Sequence, residues 1–570
     1  MADERKALIN KQDSSASISS RENLPNKELH PYGINDDGSP EKTRVPREGF
    51  DSITIESEID KSSRKNSRSH LVLAICACIF GSPLQIGLNT GILNAPQEVI
   101  KSFYNQTYYD RYGEQIEGTL LTLLWAFTVS FFCIGGMLGG LLAPAFAGKY
   151  GRKKTLLLNN VIALISAALQ GLSKTTESFE MLIAGRIVVG VCCGVVSAVG
   201  PLYLAEISPT SLRGFCGTCN QLSITIGVVI GEVLGLSNVL GTAQHWPILV
   251  AAPALPAIFS FLTLSWCPES PRYLLVVMGK EVEARKALKW LRNSENITED
   301  MDAITLEWNE HRNAPKVKVM DLFRNPELRW PLIICIVLQM SQQFSGINAV
   351  IYYSTSIFTS AGLSTEASEL ATLGTGLVNV AMTFISALIM DRAGRRTLHL
   401  TGLGGMFIFS VLLVICLTLQ SSAEWLSYIS IVAVIIYIVF FATGPGAIPW
   451  FMVAEMFAQG PRTAAVSVSA VVNWLCNFLV GICYPILQKA ITTYSFVPFC
   501  VMLALFFIFT YQYVPETKGK TITEITMLFR QQTDSHSRPN DYFSPSVVQY
   551  EVLVDEPSDA DNSDERVKRV

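Results

Sequence analysis

The sequence predicts an all-α membrane protein whose twelve transmembrane helices form two parallel-repeat halves of six, with short cytoplasmic helices between the halves. The first observation is composition, since 49% of the 570 residues are hydrophobic and only 16% are charged. A soluble protein has about 25% charged residues. The second observation is that most charged residues lie in 1–70, 269–329 and 515–570. The third is an internal repeat. Together they argue against a soluble enzyme.

Twelve apolar segments are long enough to cross the roughly 30 Å hydrocarbon core of a bilayer. They are expected near residues 71–93, 119–147, 155–173, 180–205, 215–240, 246–267, 331–360, 368–390, 397–420, 425–454, 463–488 and 494–514. The first apolar run begins near Leu71, after a polar stretch. We therefore expect no cleaved signal peptide, and the first span should act as its own signal anchor.

These segments divide the chain into five parts: an N-terminal tail at 1–69, a six-helix half at 70–267, a linker at 268–328, a second six-helix half at 329–514, and a C-terminal segment with a tail at 515–570. Both tails are rich in polar residues and lack apolar periodicity, so they are expected to be disordered. The linker places apolar residues between charged ones, which predicts short amphipathic helices.

Basic residues lie before the first span, between spans two and three, and between spans eight and nine. The positive-inside bias places these loops, and both termini, in the cytoplasm. The connection at 94–118 is then extracellular, and its Asn105-Gln106-Thr107 triplet is an acceptor for N-glycosylation. A second triplet at Asn296 falls in the cytoplasmic linker and should stay unmodified.

Three short motifs recur in the two halves at nearly the same offset. They are Gly151-Arg152-Lys153 with Gly394-Arg395-Arg396 at 243 residues, Glu206 and Arg213 with Glu455 and Arg462 at 249, and Pro268-Glu269 with Pro515-Glu516 at 247. Each motif falls at a predicted cytoplasmic end. Parallel repeats of this kind are typical of large secondary transporters whose halves are related by an axis along the membrane normal.

Acidic and basic residues from both halves are therefore predicted to form a cytoplasmic gate that pairs when this side is closed and parts when it opens. The alternative is membrane anchoring, which is enough to explain an isolated Lys153. Anchoring does not require carboxylates at matched spacing, such as Glu206 and Glu455. A network of ion pairs can bias the equilibrium between two conformations whose free energies differ by a few kcal/mol. The predicted gate comprises Arg152, Arg186, Glu206, Arg213, Glu269, Arg272, Arg395, Arg396, Glu455, Arg462 and Glu516.

Several long stretches resemble the sugar porter family of the major facilitator superfamily, and within it the animal facilitative glucose transporters. They are "GRIVVGVCCGVVSAVGPLYLAEISPTSLRG" at 185–214, "PESPRYLL" at 268–275, "QMSQQFSGINAVIYYSTSIF" at 339–358, "DRAGRRTLHL" at 391–400, "GPGAIPWFMVAEMF" at 444–457 and "VPETKGKT" at 514–521. The resemblance covers about residues 70–530. It implies the major facilitator fold and passive hexose transport by alternating access, with glucose as the expected substrate.

A hexose offers many hydroxyls and no charge, so its carrier needs neutral hydrogen-bonding side chains near the bilayer midplane. Gln339, Gln342 and Gln343 share one helix face, and Asn348 joins them only if the helix breaks near 345–346. Buried amides can instead bond neighbouring helices together, at about 0.6 kcal/mol each. The resemblance implies sugar contacts at these positions and adds Gln221, Asn379, Trp450, Asn473 and Asn477.

Three positions bear on specificity and coupling. The family's Glu before the span-ten Gly-Pro-Gly is Ala442 here, and its span-one aromatic residue is Ile86, so the choice among glucose, fructose and galactose stays open. Trp450 can cover the C–H face of a pyranose, or it can simply pack. Proton-driven relatives carry an Asp where this chain has Asn89, which cannot titrate, so passive transport is favoured.

Glu232 is the remaining carboxylate within a predicted span, about 20° from Gln221 on a helical wheel. An intramembrane ionisable residue is a functional hypothesis by default. Because Glu232 lies near the predicted outer end of span five, we instead expect it to be solvated at the outer mouth. A proton-coupled sugar symporter and a non-transporting sugar sensor are kept as alternative functions.

No metal-ligand spacing, nucleotide fingerprint or nucleophile arrangement is present, so no enzyme activity, metal or cofactor is predicted. No basic stripe indicates nucleic acid. The expected partners are a hexose, membrane lipid and sorting adaptors. The adaptors would read Glu4 with Leu8-Ile9 in the N-terminal tail, or Tyr550-Glu551-Val552-Leu553 in the C-terminal tail. We expect a multi-pass protein of the plasma membrane that can cycle through endosomes.

Overall fold

The computed structural model describes residues 69–520, except 210–211, 314–318, 420–422, 424 and 458, together with 524, 525 and 527. The predicted disorder and sorting motifs of the two tails lie outside the described residues. Every regular element in the described part of the chain is helical.

The N-terminal half contains six membrane spans. Its helices are α1 (Ser69–Gly81), α2 (Pro83–Gly91), α3 (Gln97–Tyr112), α4 (Gly118–Tyr150), α5 (Arg152–Leu172), α6 (Phe179–Ile207), α7 (Arg213–Gly235), α8 (Trp246–Ala251) and α9 (Ala254–Trp266). Spans one and six each consist of two consecutive helices. The connection between spans one and two contains α3, a helix that the sequence analysis did not predict. Asn105 lies on it, outside the apolar spans.

The linker forms a π-helical turn (Tyr273–Val277) and the helices α10 (Glu281–Arg292), α11 (Thr298–Asn313) and α12 (Val319–Arg324). The predicted amphipathic character is confirmed for α10, which buries Ala284, Leu288 and Leu291 on one face. Arg292 Nη1 donates a hydrogen bond to the carbonyl oxygen of Ile207 at the end of α6, 3.0 Å away. The linker therefore docks against the ends of the N-terminal spans.

The C-terminal half contains six further apolar segments. Its helices are α13 (Pro326–Phe344), α14 (Ile347–Ser360), α15 (Thr365–Ala393), α16 (Arg395–Leu419), α17 (Trp425–Thr443), α18 (Ile448–Met456), α19 (Gln459–Ile491) and α20 (Val497–Tyr513), with a 3₁₀ turn at Thr492–Tyr494. Among the described residues, eleven spans reach 18 residues with sufficient hydropathy, and the apolar α20 has 17. The predicted twelve-helix membrane fold is confirmed.

Spans seven and ten are interrupted in the middle. Span seven breaks between α13 and α14, where Gly346 has φ +93°, a left-handed conformation that favours glycine. The break lies where one is required for Asn348 to join the glutamines of α13. Span ten breaks between α17 and α18, at the sequence Gly444-Pro445-Gly446-Ala447. Discontinuous helices expose backbone polar groups, and in transporters they line the substrate site.

Two helix pairs make most of the contact between the halves. Helix α4 packs against α19, and α7 packs against α15. Phe132 on α4 meets Trp474 on α19 edge-on, with ring centroids 5.6 Å apart. The candidate site lies on α13, α14 and α19, next to this seam.

Candidate functional site

Four buried amides of the C-terminal half bond to one another and form what we call the amide cluster: Gln339, Gln342 and Gln343 on α13, and Asn473 on α19. Asn473 Nδ2 donates to Gln339 Oε1 and to Gln342 Oε1, both at 2.7 Å. Asn473 Oδ1 accepts from Gln343 Nε2 at 3.0 Å. Each of the four is at most 6% exposed. Asn473 is therefore the centre of the cluster.

The break in span seven brings α14 to the same cluster. Asn348 Nδ2 donates to Gln343 Oε1, as predicted from the break near 345–346. Tyr352 donates its hydroxyl proton to Asn477 Oδ1, 3.1 Å away, and so ties α14 to α19. Tyr353 donates in the same way to the carbonyl oxygen of Gly481 at 3.0 Å.

The break in span ten also meets the cluster. Gln342 Nε2 donates to the carbonyl oxygens of Pro445 at 2.9 Å and Gly446 at 2.6 Å. Gln339 Nε2 donates to the carbonyl oxygen of Pro449 at 3.2 Å. The interruption between α17 and α18 frees the carbonyls of Pro445 and Gly446 from helical bonding, and the Gln342 side chain satisfies them. Neutral donors and acceptors thus converge where two spans are broken.

Six of the nine predicted sugar contacts lie in this hydrogen-bonded region, and three do not bond to it. Gln221 on α7 and Trp450 on α18 are half-buried, and Asn379 on α15 is buried. In the described part of the chain these three show no hydrogen bond to the amide cluster. Their role in binding sugar stays a prediction.

The two positions that depart from the family pattern are both buried. Ala442 lies near the end of α17, two residues before the span-ten break that Gln342 contacts. Ile86 lies on α2. Asn89, one turn further along α2, donates from Nδ2 to the carbonyl oxygen of Gln85 at 2.8 Å.

Hydrogen bonds join the two halves at the end of the molecule where α2 ends and α14 lies. We call this the distal end. Asn94 Nδ2 donates to the carbonyl oxygen of Ile351 at 2.8 Å and to Ser354 Oγ at 2.6 Å. Asn94 Oδ1 accepts from the backbone N–H of Thr355 at 3.3 Å. The sequence analysis missed Asn94. The only available signal was a polar residue directly after an apolar span.

The opposite end, here called the charged end, carries the repeated motifs. Arg152 Nη2 donates to Glu206 Oε1 at 2.7 Å, and Ser270 Oγ donates to Glu206 Oε2 at 2.5 Å. In the other half, Arg395 Nε donates to Glu455 Oε1 at 3.0 Å. Thr517 Oγ1 donates to Glu455 Oε2 at 2.5 Å. The sequence repeat is thus also a repeat of contacts.

A second carboxylate in each half caps a helix. Glu269 Oε1 accepts from the backbone N–H groups of Arg152 and Lys153, both at 2.9 Å. Glu516 accepts from those of Arg395 and Arg396, at 2.8 and 3.1 Å. The helices begin after Gly151 and Gly394, whose φ values are +94° and +93°. An anion at a helix N-terminus is favoured by the macrodipole and the free N–H groups.

The two ion pairs described for the predicted gate, Arg152 with Glu206 and Arg395 with Glu455, each stay within one half. The Arg213 side chain lies outside the described residues. Arg462 Nε donates to the carbonyl oxygen of Phe457 in its own half, at 3.0 Å. Arg396 Nη2 bonds to the carbonyl oxygen of Tyr511, and Arg272 is half-buried before the π-helical turn. Pairing between the halves stays a prediction for the state in which this end is closed.

The expectation that Arg186 belongs to the charged end is wrong. It lies 20 residues before Glu206 on α6, which is about 30 Å along the helix. Its guanidinium is 1% exposed and donates to the carbonyl oxygens of Thr128 and Asn89 at 3.2 and 3.1 Å. The sequence shows that Arg186 lies within a span. It does not show that the backbone carbonyls of neighbouring helices accept the hydrogen bonds of the guanidinium.

The expectation that Glu232 is solvated is also wrong. Its side chain is 5% exposed, and it faces the C-terminal half across the seam between α7 and α15. Position near the end of a span does not determine exposure when another helix covers that face.

Comparison with known proteins gives consistent results. The family model described as "Sugar (and other) transporter" matches residues 73–529. The chain is 44% identical over 488 residues to the solute carrier family 2, facilitated glucose transporter member 1 of Gallus gallus, covering 85% of this chain and 99% of the relative. It is 43% identical over 502 residues to member 4 of Mus musculus, covering 87% and 96%. A solved structure of the proton:xylose symporter XylE bound to 6-bromo-6-deoxy-D-glucose matches with a TM-score of 0.68 at 23% identity, covering 81% of this chain and 99% of that one.

Proposed function

Because this chain belongs to the sugar (and other) transporter family, we propose that it is a facilitative hexose carrier that works by alternating access, with glucose as its main substrate. The similarity to facilitated glucose transporters supports this substrate class. The observation that carries the proposal is the amide cluster around Asn473, buried where spans seven and ten are broken. Such a carrier makes and breaks no covalent bond and is not an enzyme.

The chemistry of the cluster suits a sugar. Each Gln or Asn amide presents two N–H donors and one carbonyl acceptor, and each sugar hydroxyl is both a donor and an acceptor. Hydroxyls can therefore replace the bonds that Gln339, Gln342 and Gln343 make to Asn473, without burying charge. A charged substrate would find no counter-charge within the cluster.

Passive transport follows from the groups near the site. Asn89 replaces the titratable residue of proton-driven relatives, and its amide bonds to its own helix. The fold similarity to a proton:xylose symporter, together with the buried carboxyl of Glu232, favours a proton-coupled symporter as the second candidate. Uptake of a panel of sugars by proteoliposomes, with and without a proton gradient, tests both. We expect equilibration of hexose without accumulation, whereas uphill accumulation driven by protons would support the symporter.

We assign the charged end to the cytoplasm because basic residues flank the spans there. The distal end is then extracellular, and Asn105 is the expected glycosylation site. Residence in the plasma membrane, cytoplasmic tails and adaptor-driven endosomal cycling belong to the same assignment. The hydrogen bonds of Asn94 then hold the extracellular side closed, which is one of the two states that alternating access requires.

Substituting Asn94 by alanine is expected to shift the carrier about tenfold toward the state that is open at the distal end. The change removes three hydrogen bonds between the halves, and even at about 0.5 kcal/mol each, the low end of the usual range, together they contribute about 1.5 kcal/mol, which corresponds to about tenfold. Amide hydrogen exchange of residues 351–357 would report the opening. Thr119→Ala is the matched control, since Thr119 accepts one bond from the exposed Lys489 at the same end. Equal exchange in Asn94→Ala and wild type would show that these bonds do not hold the closure.

Placing a carboxylate at position 442 is expected to raise the preference for glucose over fructose about tenfold. The family pattern has Glu there, and a hydrogen bond from a sugar hydroxyl to a charged group contributes about 1.5–3 kcal/mol. Competition of the two sugars for uptake by Ala442→Glu measures the ratio. Thr443→Glu is the control, because 100° of helical rotation points its side chain elsewhere. An unchanged ratio in surface-expressed Ala442→Glu would mean that position 442 does not face the sugar.

A further inference from the structure

Glu232 lies on α7, three residues before the helix ends at Gly235. A Cβ atom built on Gly376 of α15 would be 2.2 Å from Glu232 Oε2, so the carboxyl lies directly against the backbone of the opposite half. Oε2 is buried and has no hydrogen-bond partner among the described residues. The amide cluster does not include Glu232.

Charged groups on the helices packed against α7 are engaged elsewhere or lie far away. Helices α2 and α8 contain none. On α15, Glu369 Oε2 accepts from the backbone N–H of Ser237 at 3.2 Å and from its hydroxyl at 2.9 Å. On α6, Arg186 donates to backbone carbonyls, and on α1, His70 lies at the charged end beside Trp290. No cation is therefore positioned to neutralise Glu232 in the described structure.

An ionised carboxylate in such surroundings is costly, because burial removes its water and nothing replaces it. A protonated carboxyl costs far less to bury than a charged one, and it fits the narrow space against Gly376. When the two halves separate at this seam, water can hydrate the carboxylate and the proton can leave. Closure and protonation of Glu232 are therefore linked.

We propose that Glu232 is a proton-binding site, separate from the sugar site, which holds its proton while the distal end is closed and releases it when that end opens. This inference rests on the alternating access of the proposed function. Glu232 lies about 28 Å along α7 from Arg213 at the charged end, but only about 4.5 Å from the end of the helix at Gly235. The proton therefore enters and leaves on the distal side only.

One-sided exchange has a specific consequence for transport. A proton that binds and leaves on the same side is not carried with the sugar, so transport stays facilitative. The proton instead acts as a ligand of the closed state and shifts the equilibrium toward it as the distal side becomes more acidic. Fewer carriers then open to that side, and sugar uptake from it slows.

Hexose uptake by cells expressing the full chain, measured over a range of external pH, tests the proposal. Uptake by the wild type is expected to fall at least about fivefold between about pH 8 and pH 5.5, the lower end of typical coupling between sites. Glu232→Gln, which is neutral and of the same shape, should abolish the pH dependence. The matched control is Glu369→Gln, a carboxyl on the same seam that has partners, and it should keep the pH dependence. A flat wild-type profile, or an unchanged profile in Glu232→Gln, would overturn the proposal.

A readout without sugar separates this proposal from the proposed function. Amide hydrogen exchange of residues 351–357 is measured at about pH 8 and about pH 5.5 in wild type and in Glu232→Gln. The slowing of exchange at the lower pH should be larger in wild type than in Glu232→Gln. If this holds in a protein that moves no hexose, the proton site stands and the proposed function fails. If hexose flux is normal and neither flux nor exchange depends on Glu232, the proton site fails alone. Proton-driven accumulation of sugar that requires Glu232 would overturn one-sided exchange.

Discussion

Replacing Asn473 by leucine is expected to lower the efficiency of hexose transport at least about a hundredfold, which corresponds to about 2.7 kcal/mol. Leucine keeps the size of the side chain but removes the three hydrogen bonds to Gln339, Gln342 and Gln343. Each partner left unsatisfied in a buried site costs about 1–3 kcal/mol. The three glutamines must then adopt other positions, and the pattern of donors that meets the sugar is lost. Initial rates of uptake, divided by the amount of protein at the surface, measure the effect.

The matched control for this change is Asn159→Leu. Asn159 is also a buried amide in a membrane span, but it lies in the other half, where Nδ2 donates to the carbonyl oxygen of Cys192 at 3.2 Å. Its loss removes one hydrogen bond of about 1 kcal/mol, so transport per molecule should change only severalfold. Normal sugar affinity in folded Asn473→Leu would mean that the amide cluster packs helices together and does not bind sugar.

Substituting Arg152 by alanine is expected to reduce hexose flux by about a hundredfold. Arg152 and Glu206 are only 13% and 10% exposed, so this pair differs from a surface ion pair. Removing one member of a buried pair costs about 3–5 kcal/mol, because the remaining charge is left without its partner. Such a change exceeds the few kcal/mol that separate the states of a carrier. Lys153→Ala is the control, since the Lys153 ammonium donates to a neutral acceptor, the carbonyl oxygen of Ser265, and its loss strands no carboxylate there.

A charge exchange distinguishes pairing within one half from pairing between halves. The double variant Arg152→Glu with Glu206→Arg restores the pair if the two side chains interact mainly with each other. Part of the flux lost in Arg152→Glu should then return. No recovery in a double variant that reaches the membrane would indicate that Glu206 acts chiefly on a residue of the other half, as the gate hypothesis first supposed.

The sequence predicted the helices far better than it predicted their neighbours. Length and hydropathy locate a span, so the twelve segments were predicted from the sequence. A break near Gly346 was predicted only as the condition under which Asn348 joins the glutamines. The repeat predicted equivalent positions for Glu269 and Glu516. It could not predict that they bond to backbone N–H groups, because that depends on how the helix after Gly151 or Gly394 is oriented.

Contacts across the seam were predicted least well. Glu232 looks exposed in sequence because it is close to the end of α7, and only the position of α15 shows that it is covered. Asn94 gave almost no signal, since a single asparagine after a span is common in loops. Arg186 was predicted to be a gate cation, but its partners are backbone carbonyl oxygens, which every residue has and which the sequence therefore cannot single out. Each error concerns which helix packs against the residue in question. The local sequence around a residue does not contain this information.

The bonds of Gln342 connect filling of the sugar site with bending of span ten. Its side chain has two N–H donors, and the carbonyl oxygens of Pro445 and Gly446 already accept from them. A sugar hydroxyl that accepts a hydrogen bond from Gln342 must take the place of one of these carbonyls. That carbonyl then needs a new donor, which a change in the angle between α17 and α18 can supply. Ligand and hinge therefore compete for the same amide, so the carrier can sense occupancy through the backbone of span ten.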